Sequence, residues 1–164
     1  MRRTPLLNSP FLDEIAGRRV FVKAEPLQVT GSFKARGANH AVGRLSDESA
    51  ARGVATHSSG NHAAAVARAA RLRGVKAHIV MPENSSRVKV AAVRALGVEP
   101  TFCEPTAESR AETAERIREQ TGATLVPPYN HPDVIAGQGT VGLEILEQQP
   151  DVDVILVPVG GGGL

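Results

Sequence analysis

From about residue 53 the chain alternates short apolar runs with longer stretches whose apolar positions recur every three or four residues. That alternation marks βα units on a parallel sheet, so the expected fold class is α/β. The first unit has strand Val54-Ala55-Thr56, a turn at Ser58-Ser59-Gly60, and a helix from Asn61 to Arg73. Ala63, Val66, Ala67 and Ala70 share one face of that helix, and Gly74 supplies its left-handed stop. The second has strand Ala77 to Met81, a break at Pro82, and a helix from Ser85 to Leu96 ended by Gly97. A third strand, Val98 to Cys103, leads to a helix from Thr106 to Gln120, with Thr106 placed to cap it and Gly122 to end it. Strand Thr124 to Val126 closes this region.

Ahead of these units lie Phe21-Val22-Lys23-Ala24-Glu25 and a helix around Lys34 to Val42; after them comes a helix from Ile135 to Gln148. The run Val152 to Val159 is apolar throughout, as in strands buried on both faces of a parallel sheet, and Gly160-Gly161-Gly162-Gly163-Leu164 follows at once. The expected organisation is a small doubly wound lobe over residues 53–130, flanked by two pieces of an incomplete larger domain, residues 1–52 and 131–164. A buried-type strand at a terminus leaves an apolar edge that folded proteins cover. The chain is therefore expected to be cut short, and to be poorly soluble or inactive in isolation.

Composition narrows the partners more than the fold. The 164 residues suffice for one ordinary domain or two small lobes sharing a core. Lys and Arg number 19 against 17 Asp and Glu, a formal charge of +2, and one Tyr, four Phe and no Trp leave little to stack on bases. A small-molecule ligand is expected rather than nucleic acid. No charged-then-apolar leader and no apolar run of membrane-spanning length occurs, and the single Cys103 has no internal disulfide partner. A soluble, reducing, cytoplasmic setting is the expectation. Cys103, with no activating motif around it, reads as a small buried residue. His40, His57, His78 and His131 lack metal-ligand spacing and read as surface or packing residues, so no metal site is expected among these residues.

Three segments carry candidate chemistry. Four glycines after a buried strand let backbone amides converge on a phosphate, because no side chain blocks close approach and positive φ is tolerated. A glycine run at a chain end also reads as a linker. It is neither a Walker loop, having no Lys-Ser/Thr pair after it, nor a dinucleotide loop with spaced glycines. Ser58-Ser59-Gly60-Asn61-His62 lies where a strand passes into a helix N-terminus, a place that favours an anion such as a carboxylate, or that needs only a simple N-cap. Lys34 follows Gly31-Ser32-Phe33 at the start of an Ala-rich helix. It is an ordinary solvated lysine unless the neighbouring ring desolvates it and keeps it nucleophilic.

Taken together, Lys23-x-Glu25, Thr30-Gly31-Ser32-Phe33-Lys34-x-Arg36-Gly37-Ala38, Ser58-Ser59-Gly60-Asn61-His62-Ala63, Val134-Ile135-Ala136-Gly137-Gln138-Gly139-Thr140 and Pro158-Val159-Gly160 to Gly163 resemble the fold-type II pyridoxal phosphate enzymes. Their order and spacing span nearly the whole chain. Within that group Cys103-Glu104-Pro105 and Glu108-Ser109-Arg110 look most like serine racemases and their serine/threonine dehydratase relatives. Cysteine synthase and cystathionine synthase relatives typically have Ser-Gly-Asn-Thr where this chain has Ser59-Gly60-Asn61-His62.

The resemblance implies that Lys34 holds pyridoxal 5'-phosphate as a Schiff base and then acts as general base, with Phe33 packed on the ring. It implies that Asn61 bonds the cofactor's 3′ oxygen, that Gly160, Gly161, Gly162, Gly163 and the Leu164 amide hold the phosphate, and that Ser58, Asn61 and His62 receive the substrate carboxylate. Ser59 stands where many threonine dehydratases have Ala, which marks it as an acid for the second face and points to racemisation beside β-elimination of serine or threonine. Threonine dehydratase and a truncated, inactive fragment are the alternatives. Arg36 and Lys23 are read as structural. A homodimer, and a divalent cation bound outside these residues, complete the expectations for a full-length member.

Overall fold

In the computed structural model, which describes residues 1–164, thirteen helices and strands follow one another along the chain, with two short 3-10 turns between β2 and α2. The central four strands are β3 (Val54–His57), β4 (Ala77–Pro82), β5 (Thr101–Cys103) and β6 (Thr124–Leu125). All pair in parallel, in the order β5-β4-β3-β6. Between β3 and β6 the order reverses, and in open α/β sheets ligands bind beyond the carboxyl ends of the strands at such a switch point.

Around the sheet pack α2 (Lys34–Gly43), α4 (Asn61–Arg73), α5 (Arg87–Arg94), α6 (Ala107–Thr121) and α7 (Pro132–Gln148), with the short α3 (Asp47–Ala51) leading into β3. Their ends follow local chemistry. Thr106 Oγ1 accepts from the Ser109 N–H at 3.1 Å, and Gly74 and Gly122 end α4 and α6 in the left-handed region. Helix α5 starts later than the expected Ser85, because Ser86 is extended and caps it, and it ends at Arg94. Strand β5 covers only half of the expected Val98 to Cys103, since Pro100 has no N–H to give a ladder. Helix α7 starts three residues before Ile135, with Pro132 in its first turn.

A 16-residue apolar cluster joins Ala38, Ala41 and Val42 of α2 to β3, α4, β4, α5 and Val134 of α7. Packing is therefore continuous across positions 52/53 and 130/131. On the other sheet face a second cluster of six holds Cys103 with Ala114 and Ile117 of α6. Burial pushes the Cys103 thiol upward, as befits a small packing residue rather than a nucleophile.

The largest departure from expectation is Val152 to Val159, which forms no strand. Val152 donates to Gln149 O at 3.3 Å, but no ladder bond reaches residues 153–159, and Leu156 and Val159 are 90% and 80% exposed. An apolar composition gives a strand only where another backbone offers a ladder to it, and no strand of this chain does so here. The reverse error concerns the N-terminus. β1 (Leu6–Asn8) and β2 (Phe21–Lys23) pair antiparallel around α1 (Pro10–Ala16), in elements too short to show a period. No helix is long and apolar enough to cross a membrane.

Helices α2 and α7 touch backbone to backbone. A Cβ on Gly37 would stand 2.7 Å from Val134 O, and the Gly37 N–H, orphaned in the first turn of α2, donates to Gln138 Oε1 at 2.9 Å. Beside this crossing the buried Arg36 bonds both oxygens of Glu25 (2.8 and 2.9 Å) and both of Glu144 (2.7 and 2.9 Å). Lys23 Nζ donates to Glu144 at 2.6 Å and to Gln148 at 2.7 Å. Two cations thus face two carboxylates, which accounts for the structural reading of Arg36 and Lys23.

Candidate functional site

Lys34 is the first residue of α2, so its side chain emerges at a helix start and next to a tight turn. That turn carries Thr30 at φ 62°, a left-handed conformation that costs a β-branched residue energy, followed by Gly31 at φ 75°. Lys34 Nζ donates to Pro128 O at 2.5 Å and lies 5.1 Å from the centre of the Phe33 ring. Burial holds the Lys34 ammonium below its ordinary range, which raises the share of neutral, nucleophilic amine. The hydroxyls of Thr30 and Ser32, just before it, are buried without partners.

Pro128 follows β6, and the Ser58 to Gly60 turn follows β3, so both sit at the switch point. Ser58 Oγ accepts from the Gly60 N–H at 3.2 Å and shapes the turn. The amides of Asn61, His62 and Ala63 open α4 with no backbone acceptor, while the side chains of Ser59 and Asn61 are exposed and unbonded. These are free donors for an anion.

His62 is placed differently from expectation. Its imidazole is buried and points Nε2 at Val126 O, 3.0 Å away, so only its main-chain N–H remains for a carboxylate. Burial, opposed by that hydrogen bond and aided by the charges of Lys34 and His57, brings its pKa down to about 4. The ring is therefore neutral near pH 7, with Nδ1 buried and unpartnered. It ties the start of α4 to the end of β6.

The glycine run lies against the same Pro128-Tyr129 segment. Gly163 is buried, and a Cβ there would meet Pro128 O at 3.2 Å, the oxygen that Lys34 contacts. Gly160 to Gly162 are exposed, as is Leu164 at 38%. The structure thus brings Lys34, Phe33 and the end of the glycine run together through Pro128, and links them to Ser58, Ser59 and Asn61 through His62. Sequence reasoning missed Val126, Pro128 and Tyr129; their signal was a Pro-Pro pair directly after a strand at the order reversal.

Elsewhere the histidines have ordinary duties. His40 Nδ1 lies 2.8 Å from Asp133 O, and His131 caps α7. No group of three or more His, Cys, Asp or Glu side chains could hold a metal. A groove lined mainly by apolar side chains, among them Leu6, Phe21, Ile145 and Val154, runs between the β1–β2 pair and residues 152–156, and Lys34 is not part of its lining.

A partly desolvated amine, a glycine run in which a Cβ on Gly161 or Gly163 would collide with its neighbours, and unpaired amides at a helix start fit a phosphate ester that carries an aldehyde and a substrate that carries a carboxylate. Comparison with known proteins gives the same answer. Residues 1–164 match the family described as pyridoxal-phosphate dependent enzyme. The chain is 49% identical to serine racemase of Oryza sativa subsp. indica over all of its length and 48% of the relative's. It is also 49% identical to L-threonine ammonia-lyase of Thermotoga maritima, covering 41% of that protein. Maize serine racemase superimposes with a TM-score of 0.97 at 48% identity, over 99% of this chain and 49% of the maize one. The chain spans about half the length of the curated relatives it matches. On this match and this site, the chain belongs to the pyridoxal-phosphate dependent enzymes.

Proposed function

We propose that the protein to which these residues belong racemises serine or threonine, eliminates water from them, or does both, with pyridoxal 5'-phosphate bound at Lys34. The observation that carries this reading is the meeting of the Lys34 amine and the glycine run at Pro128, on the switch point of the sheet. Bound there, the cofactor withdraws electrons from the substrate Cα and so acidifies its C–H bond.

The chain's own groups supply the rest. Gly160 to Gly163 and the Leu164 amide hold the phosphate, Phe33 borders the ring, and Asn61 reaches the 3′ oxygen. Ser58 and the amides of Asn61 and His62 orient the carboxylate. Lys34, once released by substrate, takes the Cα proton on its side. Ser59, exposed in the turn before α4, delivers a proton to the opposite face, which inverts the centre. Loss of the β-hydroxyl as water, with the proton that Lys34 took from Cα, instead leaves an enamine that hydrolyses to a keto acid and ammonia, and this needs no acid on the opposite face.

The division into residues 1–52, 53–130 and 131–164 is proposed as a division of topology. For the whole protein we add a cytoplasmic homodimer, and a divalent cation held by residues outside this chain.

The test is direct. Pyridoxal phosphate added to the chain should give a visible absorbance band that borohydride fixes as a label on Lys34, one of four lysines, and that Lys34→Ala abolishes. Labelling spread over Lys23, Lys76 and Lys89 would refute the assignment. In the whole protein, Ser59→Ala should lower racemisation and spare elimination; equal racemisation in the variant would remove Ser59 from the mechanism. Competition between L-serine and L-threonine separates racemase from threonine dehydratase.

A further inference from the structure

Two of the four glycines in residues 160–163 are required by one tyrosine, Gly161 by its ring and Gly163 by the base of its side chain. A Cβ on Gly161 would stand 2.5 Å from Tyr129 Cδ1 and 2.7 Å from Cε1, and one on Gly163 would stand 2.8 Å from Tyr129 Cβ. Gly160 and Gly162 would meet nothing within 4 Å, and Gly162 instead answers to its φ of 76°. One wall of the loop is therefore Tyr129, and the other positions stay open to a ligand.

Tyr129 is itself held on both sides. Pro127 and Pro128 fix the backbone before it, and Asn130 follows at φ 55°, directly ahead of the His131 cap of α7. The Pro128 carbonyl before it accepts from Lys34 Nζ. One stiff segment thus meets both the amine and the glycine loop.

We propose that Tyr129 is a positioning residue for phosphate capture: its ring, wedged against Gly161, and its Cβ, seated against Gly163, hold the loop beside Lys34 with its amides free for a phosphate. This rests on the pyridoxal-phosphate reading of Lys34. Tyr129 is 43% exposed, so shortening its side chain opens no large buried cavity and the fold is expected to survive. The cost falls on the loop. Gly161, released from the ring, regains backbone freedom that binding must remove again.

Tyr129 is the chain's one tyrosine and there is no tryptophan, so tyrosine emission reports this ring alone. Equilibrium dialysis with pyridoxal phosphate, phosphate-free pyridoxal and inorganic phosphate would compare wild type, Tyr129→Ala, Tyr129→Leu and Tyr129→Phe. Tyr129→Ala should weaken pyridoxal phosphate about tenfold and leave pyridoxal within about twofold, because only the phosphate arm is affected. Tyr129→Phe should restore binding, and phosphate alone should change wild-type emission. Circular dichroism checks the fold, and Tyr129→Leu replaces the alanine variant if that unfolds. The proposal falls if the shortened variant binds pyridoxal phosphate like wild type, if it loses pyridoxal equally, or if emission ignores phosphate. A wild type that takes up cofactor at Lys34 while the variants do not differ sinks this proposal alone; a wild type with no Lys34-dependent uptake sinks both.

Discussion

Gly137 and Gly37 meet where α7 crosses α2: a Cβ on Gly137 would lie 2.6 Å from Gly37 Cα and 2.7 Å from Arg36 O. That contact seats the helix whose first residue is Lys34. Gly137→Ala must push the helices apart and should lower unfolding stability by about 1–3 kcal/mol. Gly139 and Gly142, on the same helix, would meet nothing within 4 Å. Gly139→Ala should therefore be neutral or gain up to about 1 kcal/mol from helix propensity. Urea unfolding of the two variants is the measurement, and equal losses would refute the crossing.

The Arg36 cluster makes a second prediction. Arg36→Met leaves Glu25 and Glu144 facing each other with one cation fewer, and should cost about 3–5 kcal/mol, as breaking a buried ion pair does. Hydrogen bonds from Arg36, then Lys23, outweigh burial and bring the Glu144 pKa down to about 2. A depressed carboxyl stabilises the fold fully above its ordinary value near 4.5, and that contribution disappears as pH falls toward 2. Acid titration of stability in Glu144→Gln should lack this component.

His62 acts in a higher pH window. Its folded pKa lies below the ordinary 6.5, at about 4, so between those values the unfolded chain binds the extra proton. Stability should thus decline as pH drops from 6.5 toward 4. His57 and His78 are also held low by burial and add to the slope. His62→Gln, which keeps a donor for Val126 O, isolates the share of His62 by removing only that part. An unchanged slope would mean that the imidazole is not buried neutral.

Residues 152–159 predict behaviour in solution. Leu156 and Val159 lie exposed, so Leu156→Glu with Val159→Glu should change stability by no more than about 0.5 kcal/mol. The same pair of changes should raise the concentration at which the isolated chain aggregates, measured by light scattering. A large stability loss would place these side chains against something in the folded chain.

The sequence made the βα units readable because each helix carries its own stop and period. Thr106, Gly74 and Gly122 act where local chemistry places them. What pattern could not show was pairing. The apolar run 152–159 looks like a strand by composition, but a strand exists only with a neighbour, and that is non-local information. The candidate site divides in the same way. Lys34 and Ser58 to His62 were legible as motifs, whereas the burial of the His62 ring and the joining role of Pro128 arise from which strands lie side by side. Gly137, within Val134 to Thr140, was visible as part of a resemblance; its cause, a helix crossing, was not.

One property of the sheet extends beyond catalysis. β3 and β6 are neighbours, with Val54 in register with Thr124 and the Thr124 N–H donating to Gly53 O at 3.0 Å. The chain therefore leaves for residues 54–125 and comes back at almost the same point. In engineering terms that stretch is a cassette with adjoining ends, exchangeable between relatives through two splice points, provided that the α4 face meeting α2 is carried over intact.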